Sequence, residues 1–201
     1  LILEKLLSGK TVSVENSLFP SEFWQDQIKS PKEGPEFVLD FLRSTDLQSV
    51  GFKEIDRLYA SYFEHVLGAT ANEFVRDYFT FQQNLRNLVA ALRARQKGLD
   101  PSEYLIGEGE VVQILSSSTA EDFGLSLEFP WIESLIKAET PHERQAMVEQ
   151  IQWDYLDEHA GPDPFDFHVI LAYLLKLEIL ERQLALSEEK GMEKVRRLGG
   201  L

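Results

Sequence analysis

The residues best suited to chemistry are grouped between positions 154 and 168, where Asp154, Asp157, Glu158, His159, Asp163, Asp166 and His168 follow one another closely. Carboxylates and imidazoles are the hard and borderline donors that divalent cations take, so Asp157, His159, Asp163 and His168 could serve a metal-dependent helical enzyme. The same residues have a plainer reading. Asp154, Asp157 and Glu158 lie near the end of one expected helix, while Asp163 and Asp166 have the spacing of a cap and first-turn acid of the next. A di-iron bundle would need Glu-x-x-His on two inward faces, and the one instance, Glu139 to His142, straddles a helix start. None of His65, His142, His159 and His168 precedes an Asp, so the His-Asp dipeptide of one large class of helical metal phosphohydrolases is missing. The expectation is therefore no assigned metal, with the 154–168 cluster kept as an alternative.

Other chemistries fail on spacing. Ser8-Gly9-Lys10-Thr11 has the tail of a phosphate-binding loop, but that loop needs a second glycine five positions before Gly9, and Glu4 stands there. Gly107-Glu108-Gly109 is too short and too acidic to cradle phosphate and reads as a turn. A hydrolytic serine would sit on a strained Gly-x-Ser-x-Gly elbow, which the sequence lacks. Ser116-Ser117-Ser118-Thr119 reads instead as a loop leading to Glu121 and Asp122. Glu178 with Glu181, and Glu188 with Glu189, have the spacing of a solvated helix face, since acid–base work would require burial to raise one pKa. The chain has no cysteine, which removes disulfides, thiolate metal sites and thiol nucleophiles. No catalytic residue and no cofactor is expected.

Composition narrows the partners. Of 201 residues, 34 are acidic and 20 basic, a net charge of −14. A protein that tracks phosphates needs a basic stripe, so nucleic acid is not expected. The acidity is regional: residues 1–100 carry 14 acidic and 12 basic side chains, residues 101–166 carry 15 and 2. Tyr78 to Lys97 runs the other way, with Arg86, Arg93, Arg95 and Lys97 and no acid. Separated zones of this kind serve solubility or steer a protein partner into register. The longest apolar run, Val169–Leu175, is seven residues, against about 20 for a membrane-spanning helix. The chain starts without Met and without a signal segment, so its true N-terminus stays open.

The elements carrying these residues are expected to be helices. Ser30-Pro31-Lys32-Glu33, Asp100-Pro101-Ser102-Glu103, Thr140-Pro141-His142-Glu143 and Asp163-Pro164-Phe165-Asp166 each offer a capping oxygen, a proline at the first helical position and a first-turn acid. Thr70-Ala71-Asn72-Glu73 reads as a further capping box after a helix over about 51–67. Phe74, Tyr78, Phe81, Leu85, Leu88 and Leu92 step by four and three, the seam of a long amphipathic helix that Gly98 stops. Thr140 to His159 should form another helix, with Met147, Ile151 and Tyr155 on one face. From Pro164 the chain is apolar nearly all round through Leu175 and then amphipathic to about Leu186, which predicts a helix whose first half is buried deep in the core. Shorter helices are expected near 35–43, 101–106 and 129–137. Only Thr11-Val12-Ser13-Val14 alternates like a strand, and no Asn-Gly or Asp-Gly hairpin turn occurs. The expected fold is all-α: a multi-helix bundle or funnel, with divergent helical repeats as one origin, as a single domain over 1–201 or two subdomains meeting near 100–125.

The stretch FQQNLRNLVAALRARQKGLDPSEYLI, Phe81 to Ile106, resembles the repeated helix of the C subunit of V/A-type rotary ATPases, called subunit d in eukaryotes. The matching positions are Asn84, Leu85, Arg86, Leu92, Arg93, Ala94, Gly98, Leu105, Ile106 and Gly107, with Gln in place of the family's acid. A second likeness lies in Ala172 to Gly191, which lacks Asn-Leu-Arg. The chain is short for the family's three-repeat funnel and is more similar to divergent bacterial subunit-C-like proteins. The resemblance implies a non-catalytic central-stalk adaptor that links the rotor shaft to the membrane ring. Its partners would be the shaft and ring subunits. It would be cytoplasmic, held peripherally at the inner face of the cell membrane through protein contacts, with Asn84, Arg86, Arg93 and Arg95 as partner-binding residues. Asn84 and Arg86 also flank the helix seam, where they could instead bridge neighbouring helices. An unrelated all-α interaction module is the remaining alternative.

Overall fold

The structure, a computed structural model, describes residue 7 and residues 19–185. Among these residues every regular element is helical and none is a strand. The chain divides into two compact units, Leu1–Phe123 and Gly124–Leu201.

The first unit holds α1 (Ser21–Lys29), α2 (Glu36–Ser44), α3 (Phe52–Ala69), α4 (Glu73–Gln96), a 3-10 turn (Pro101–Tyr104) and α5 (Glu110–Ser117). Helix α4 is its axis, and α3, the 3-10 turn and α5 all pack against it. All six seam residues read from the sequence, Phe74 through Leu92, are buried, each burial removing apolar surface worth roughly 1.5–3 kcal/mol. At the end of α4, Gly98 takes φ +67 and its N–H bonds the Arg95 carbonyl, while Leu99 N–H reaches the Ala94 carbonyl. Only a residue tolerant of the left-handed region closes the helix this way. A second cluster is built where α1 and α2 meet: Trp24, Val38, Phe41 and Leu42, flanked by Phe19, Phe23 and Leu58. Phe19 stacks on Phe23 at 4.5 Å, and both meet Trp24 edge-on.

Three helix starts differ from the sequence reading, each because another side chain takes the exposed N–H groups. Ser30-Pro31 starts nothing: the Gln27 side chain, buried in α1, accepts from both Lys32 N–H and Glu33 N–H at 2.8 Å, and α2 begins only after Pro35. The cap of α4 is Asn72, which accepts from Val75 N–H at 3.0 Å, while Thr70 accepts from Asn72 N–H. Asp163 caps only a turn by accepting from Phe165 N–H, and Asp166 then accepts from His168 N–H as the last helix begins at Phe167. Asp100 and Thr140 cap as expected, the latter in a full capping box with Glu143. Two helices, α1 and α5, were not legible, and Ser116 and Ser117 close α5 with hydroxyls donated to the Gln113 carbonyl rather than forming a loop.

The second unit holds α6 (Ile132–Lys137), α7 (Pro141–His159) and α8 (Phe167–Ala185), with α7 packed against both of the others. Leu125, Ile132, Leu135, Ile151, Leu156, Ala172 and Ile179 form its buried interior. Helix α7 buries Ile151, but Met147 and Tyr155 are only half-buried, and Glu149 and Gln152 are inside instead. Glu149 there accepts from the Gln145 side chain at 2.8 Å. Helix α8 corrects the strongest burial expectation. Its stripe Ala172 and Ile179 is buried, but Phe167, Ile170, Tyr173 and Leu174 are half or more exposed. An all-round apolar helix with α7 as its packing neighbour buries one face and leaves the other open. Ser8–Thr11, Thr11–Val14, Glu188–Glu189 and the end of the second likeness lie outside the described residues.

Candidate protein interface

The four residues singled out by the resemblance lie on α4, and the structure gives them different work. Arg86 points across to α3, where its guanidinium bonds and ion-pairs with Asp56, and it also donates to the Tyr104 carbonyl at 3.5 Å. Its charge lies 5.4 Å from the Tyr59 ring. Burial pushes the Asp56 carboxyl above the ordinary range, and the opposing pull of the Arg86 cation does not cancel it. Arg86 thus ties α3, α4 and the 3-10 turn together. The bridging alternative noted for it describes its contacts here, and about a quarter of each side chain in the pair remains exposed.

Arg95 is likewise turned inward to its own unit. Its guanidinium donates to the carbonyls of Ser118 and Ala120 and stacks 3.5 Å from the Phe123 ring centre. Phe123 is buried with φ +59, a left-handed conformation costly for an aromatic residue, and Arg95 lies directly on it. Burial lowers the Arg95 pKa, but a guanidinium starts high enough to stay charged at neutral pH. Asn84 is half-buried, and Arg93 is exposed at the basic end of the helix.

The residue that sequence reasoning missed is Asn87. It has no exposed surface, its amide nitrogen donates to the Ile106 carbonyl at 2.8 Å, and its amide oxygen accepts from Ile106 N–H at 3.0 Å. One side chain thereby satisfies both backbone groups of a buried residue that no helix or strand serves. A signal was present: Asn87, Ala91 and Ala94 step by four and three, a second buried stripe beside the main seam. Next to Ile106, Gly107 takes φ +73, and a Cβ there would run into the Gln83 amide. Because Gln83 can swing away while the backbone strain stays, Gly107→Ala is expected to cost about 1–2 kcal/mol in urea unfolding.

The cluster between 154 and 168 does not converge. Asp157 pairs with Lys176, His159 Nδ1 meets the Tyr155 carbonyl at 2.8 Å with its ring stacked on Tyr155, and Asp163 and Asp166 are occupied as caps. Among the described residues no three His, Asp or Glu side chains are placed to share a cation. A cleft of about 380 Å³ opens between α2 and α3, lined by Phe37, Asp40, Phe41, Arg57, Glu64 and His65. Within it Arg57 is turned to Thr45 and the Phe41 ring, and His65 lies 5.0 Å from Phe37. Among the described residues no helix is long and apolar enough to cross a membrane.

Residues 8–200 match the family described as Protein of unknown function (DUF2764). The chain belongs to the DUF2764 family. It is similar to an uncharacterized protein of Chlamydia pneumoniae, 30% identical over 129 residues that span 61% of this chain and 48% of the relative. An uncharacterized protein of Chlamydia muridarum is 23% identical over 183 residues, 88% of this chain and 67% of the relative. This DUF2764 chain therefore spans about half the length of the first relative. No solved structure matches it.

Proposed function

We propose that the chain is a non-catalytic adaptor in the central stalk of a V/A-type rotary ATPase, joining the rotor shaft to the membrane ring. The observation that supports it is spatial. Residues of the resembling stretch that are far apart in sequence belong to one packed piece, because Arg86 and Asn87 on α4 reach Tyr104 and Ile106 and hold the 101–107 segment against the helix. A part that transmits torque needs such cross-ties, since a helix held by apolar contacts alone can slide along its neighbour. The acid-free basic stretch of α4 and the acidic excess after residue 100 give the charge that would orient shaft and ring subunits. In this reading the protein is cytoplasmic and peripheral at the inner face of the membrane, held by protein contacts.

Affinity purification of the tagged protein from its native cells at low salt tests the proposal. Shaft or ring subunits should co-elute and dissociate as salt rises, because screening weakens steering charges. Elution without any rotary-ATPase subunit, under conditions that keep the ATPase itself assembled, overturns it.

A further inference from the structure

Among the described residues of the second unit, α8 presents a run of exposed large apolar side chains. Phe167, Ile170, Tyr173, Leu174, Leu180 and Leu184 are between 39% and 63% exposed. They lie opposite the buried stripe Ala172 and Ile179. Ile170, Tyr173, Leu177, Leu180 and Leu184 step by three, four, three and four, the spacing at which one helix receives knobs from another. The six exposed side chains run from Phe167 to Leu184, about five turns of helix. Single exposed apolar residues need no explanation, but a continuous strip of this size does.

Charge selects the occupant. Glu181 stands on the helix face between Leu177 and Leu174, flanking the heptad-spaced seam, with Glu178 beyond Leu174, and both are exposed. On the other side, Lys176 is turned away to Asp157 and lies 5.0 Å from the Trp153 ring. Residues 124–184 carry twelve acidic side chains against four basic, Lys137, Arg144, Lys176 and Arg182. An anionic bilayer would be repelled by this surface, since interfacial helices border their apolar face with Lys and Arg. A second copy would bring the same acids to the same edge. We propose that the α8 strip docks an amphipathic helix of another protein, one with a heptad-spaced apolar seam bordered by Lys or Arg. This inference goes beyond the adaptor reading and does not depend on it, because it uses only the second unit.

The test uses the whole chain and two synthetic three-heptad helical peptides with Leu at both seam positions, one bordered by Lys and the other by Glu. Binding is followed by fluorescence anisotropy. The Lys-bordered peptide should bind, the Glu-bordered one should not, and Tyr173→Glu with Leu180→Glu should weaken binding roughly tenfold or more. Both substituted side chains are exposed, so the helical circular dichroism and melting should be unchanged. Equal binding to the substituted chain would reduce the interaction to general charge attraction and overturn the proposal. A dimer in light scattering that the same substitutions dissolve would assign the strip to a second copy, and cosedimentation with phosphatidylglycerol vesicles would assign it to a membrane; either result also overturns it.

Discussion

Asn87→Ala is expected to lower the stability of the chain by about 3 kcal/mol, read as a shift of the urea midpoint. The substitution leaves the Ile106 N–H and C=O, both buried, without partners, and each such group costs roughly 1–3 kcal/mol. Asn87→Asp separates this account from simple loss of packing. The carboxylate keeps the acceptor for Ile106 N–H but loses the donor and places a charge where none is solvated. Complete burial raises its pKa in the folded state above that in the unfolded chain; the Arg86 guanidinium, 3.4 Å from that side-chain oxygen, pulls the other way but is already paired with Asp56, whose own carboxyl it does not bring back down. Its proton therefore favours folding: the variant should be near wild type below the ordinary carboxylate range, about pH 4, and lose stability as pH rises through the raised value. A protonated carboxyl can donate and accept as the amide does, so acid should rescue Asn87→Asp and leave Asn87→Ala unimproved. Equal midpoint shifts at both pH values would refute the paired hydrogen bonds.

Arg86→Met is expected to cost about 2–3 kcal/mol at neutral pH, less than a fully buried pair because about a quarter of each side chain still meets solvent. Methionine preserves much of the stem, so the loss reports the guanidinium. Asp56 would then remain desolvated with its counter-charge gone, and its already raised pKa would climb further. The sign follows: a carboxyl raised in the folded state contributes most when protonated, so the deficit against wild type should shrink as pH falls toward about 4. Adding Asp56→Leu should restore most of the loss, because removing both members leaves no unpaired charge. A double variant as unstable as Arg86→Met alone would mean that the missing bond to the Tyr104 carbonyl, not the charge pair, dominates.

These two residues mark the limit of what is legible in the sequence. The α4 seam was legible because six apolar residues repeat at one helical period and all face one core. The Thr140 box and the Asp100 cap were legible because their hydrogen bonds close within a few residues. The Ser30-Pro31 start was misread because its competitor, Gln27, lies on the preceding helix and declares itself only when the chain turns back. Asn87 was overlooked for a related reason: its partner stands 19 residues away, and a polar residue beside a seam looks solvated until Ala91 and Ala94 are counted with it. For the candidate interface, the Asn-Leu-Arg string draws attention to α4, but chemistry alone does not say whether an arginine faces a partner or its own fold. Arg86 and Arg95 are committed to Asp56, Tyr104, Ser118 and Ala120, whose positions follow from tertiary packing. The apolar run of α8 was read correctly as helix and wrongly as core, since hydrophobicity counts surfaces that want covering and not the neighbours available to cover them.

The cross-ties of the first unit also bear on how the protein comes into being. Arg86 reaches back 30 residues to Asp56, Asn87 forward 19 to Ile106, and Arg95 forward 25 to Ala120. None of these ties requires anything beyond residue 123. Helical proteins held by contacts this close in sequence fold in microseconds to milliseconds, while a ribosome adds about 5–20 residues each second. The first unit can therefore set its charged and amide locks while the second is still being synthesised, so the apolar strip of α8 is made only after that earlier core has closed.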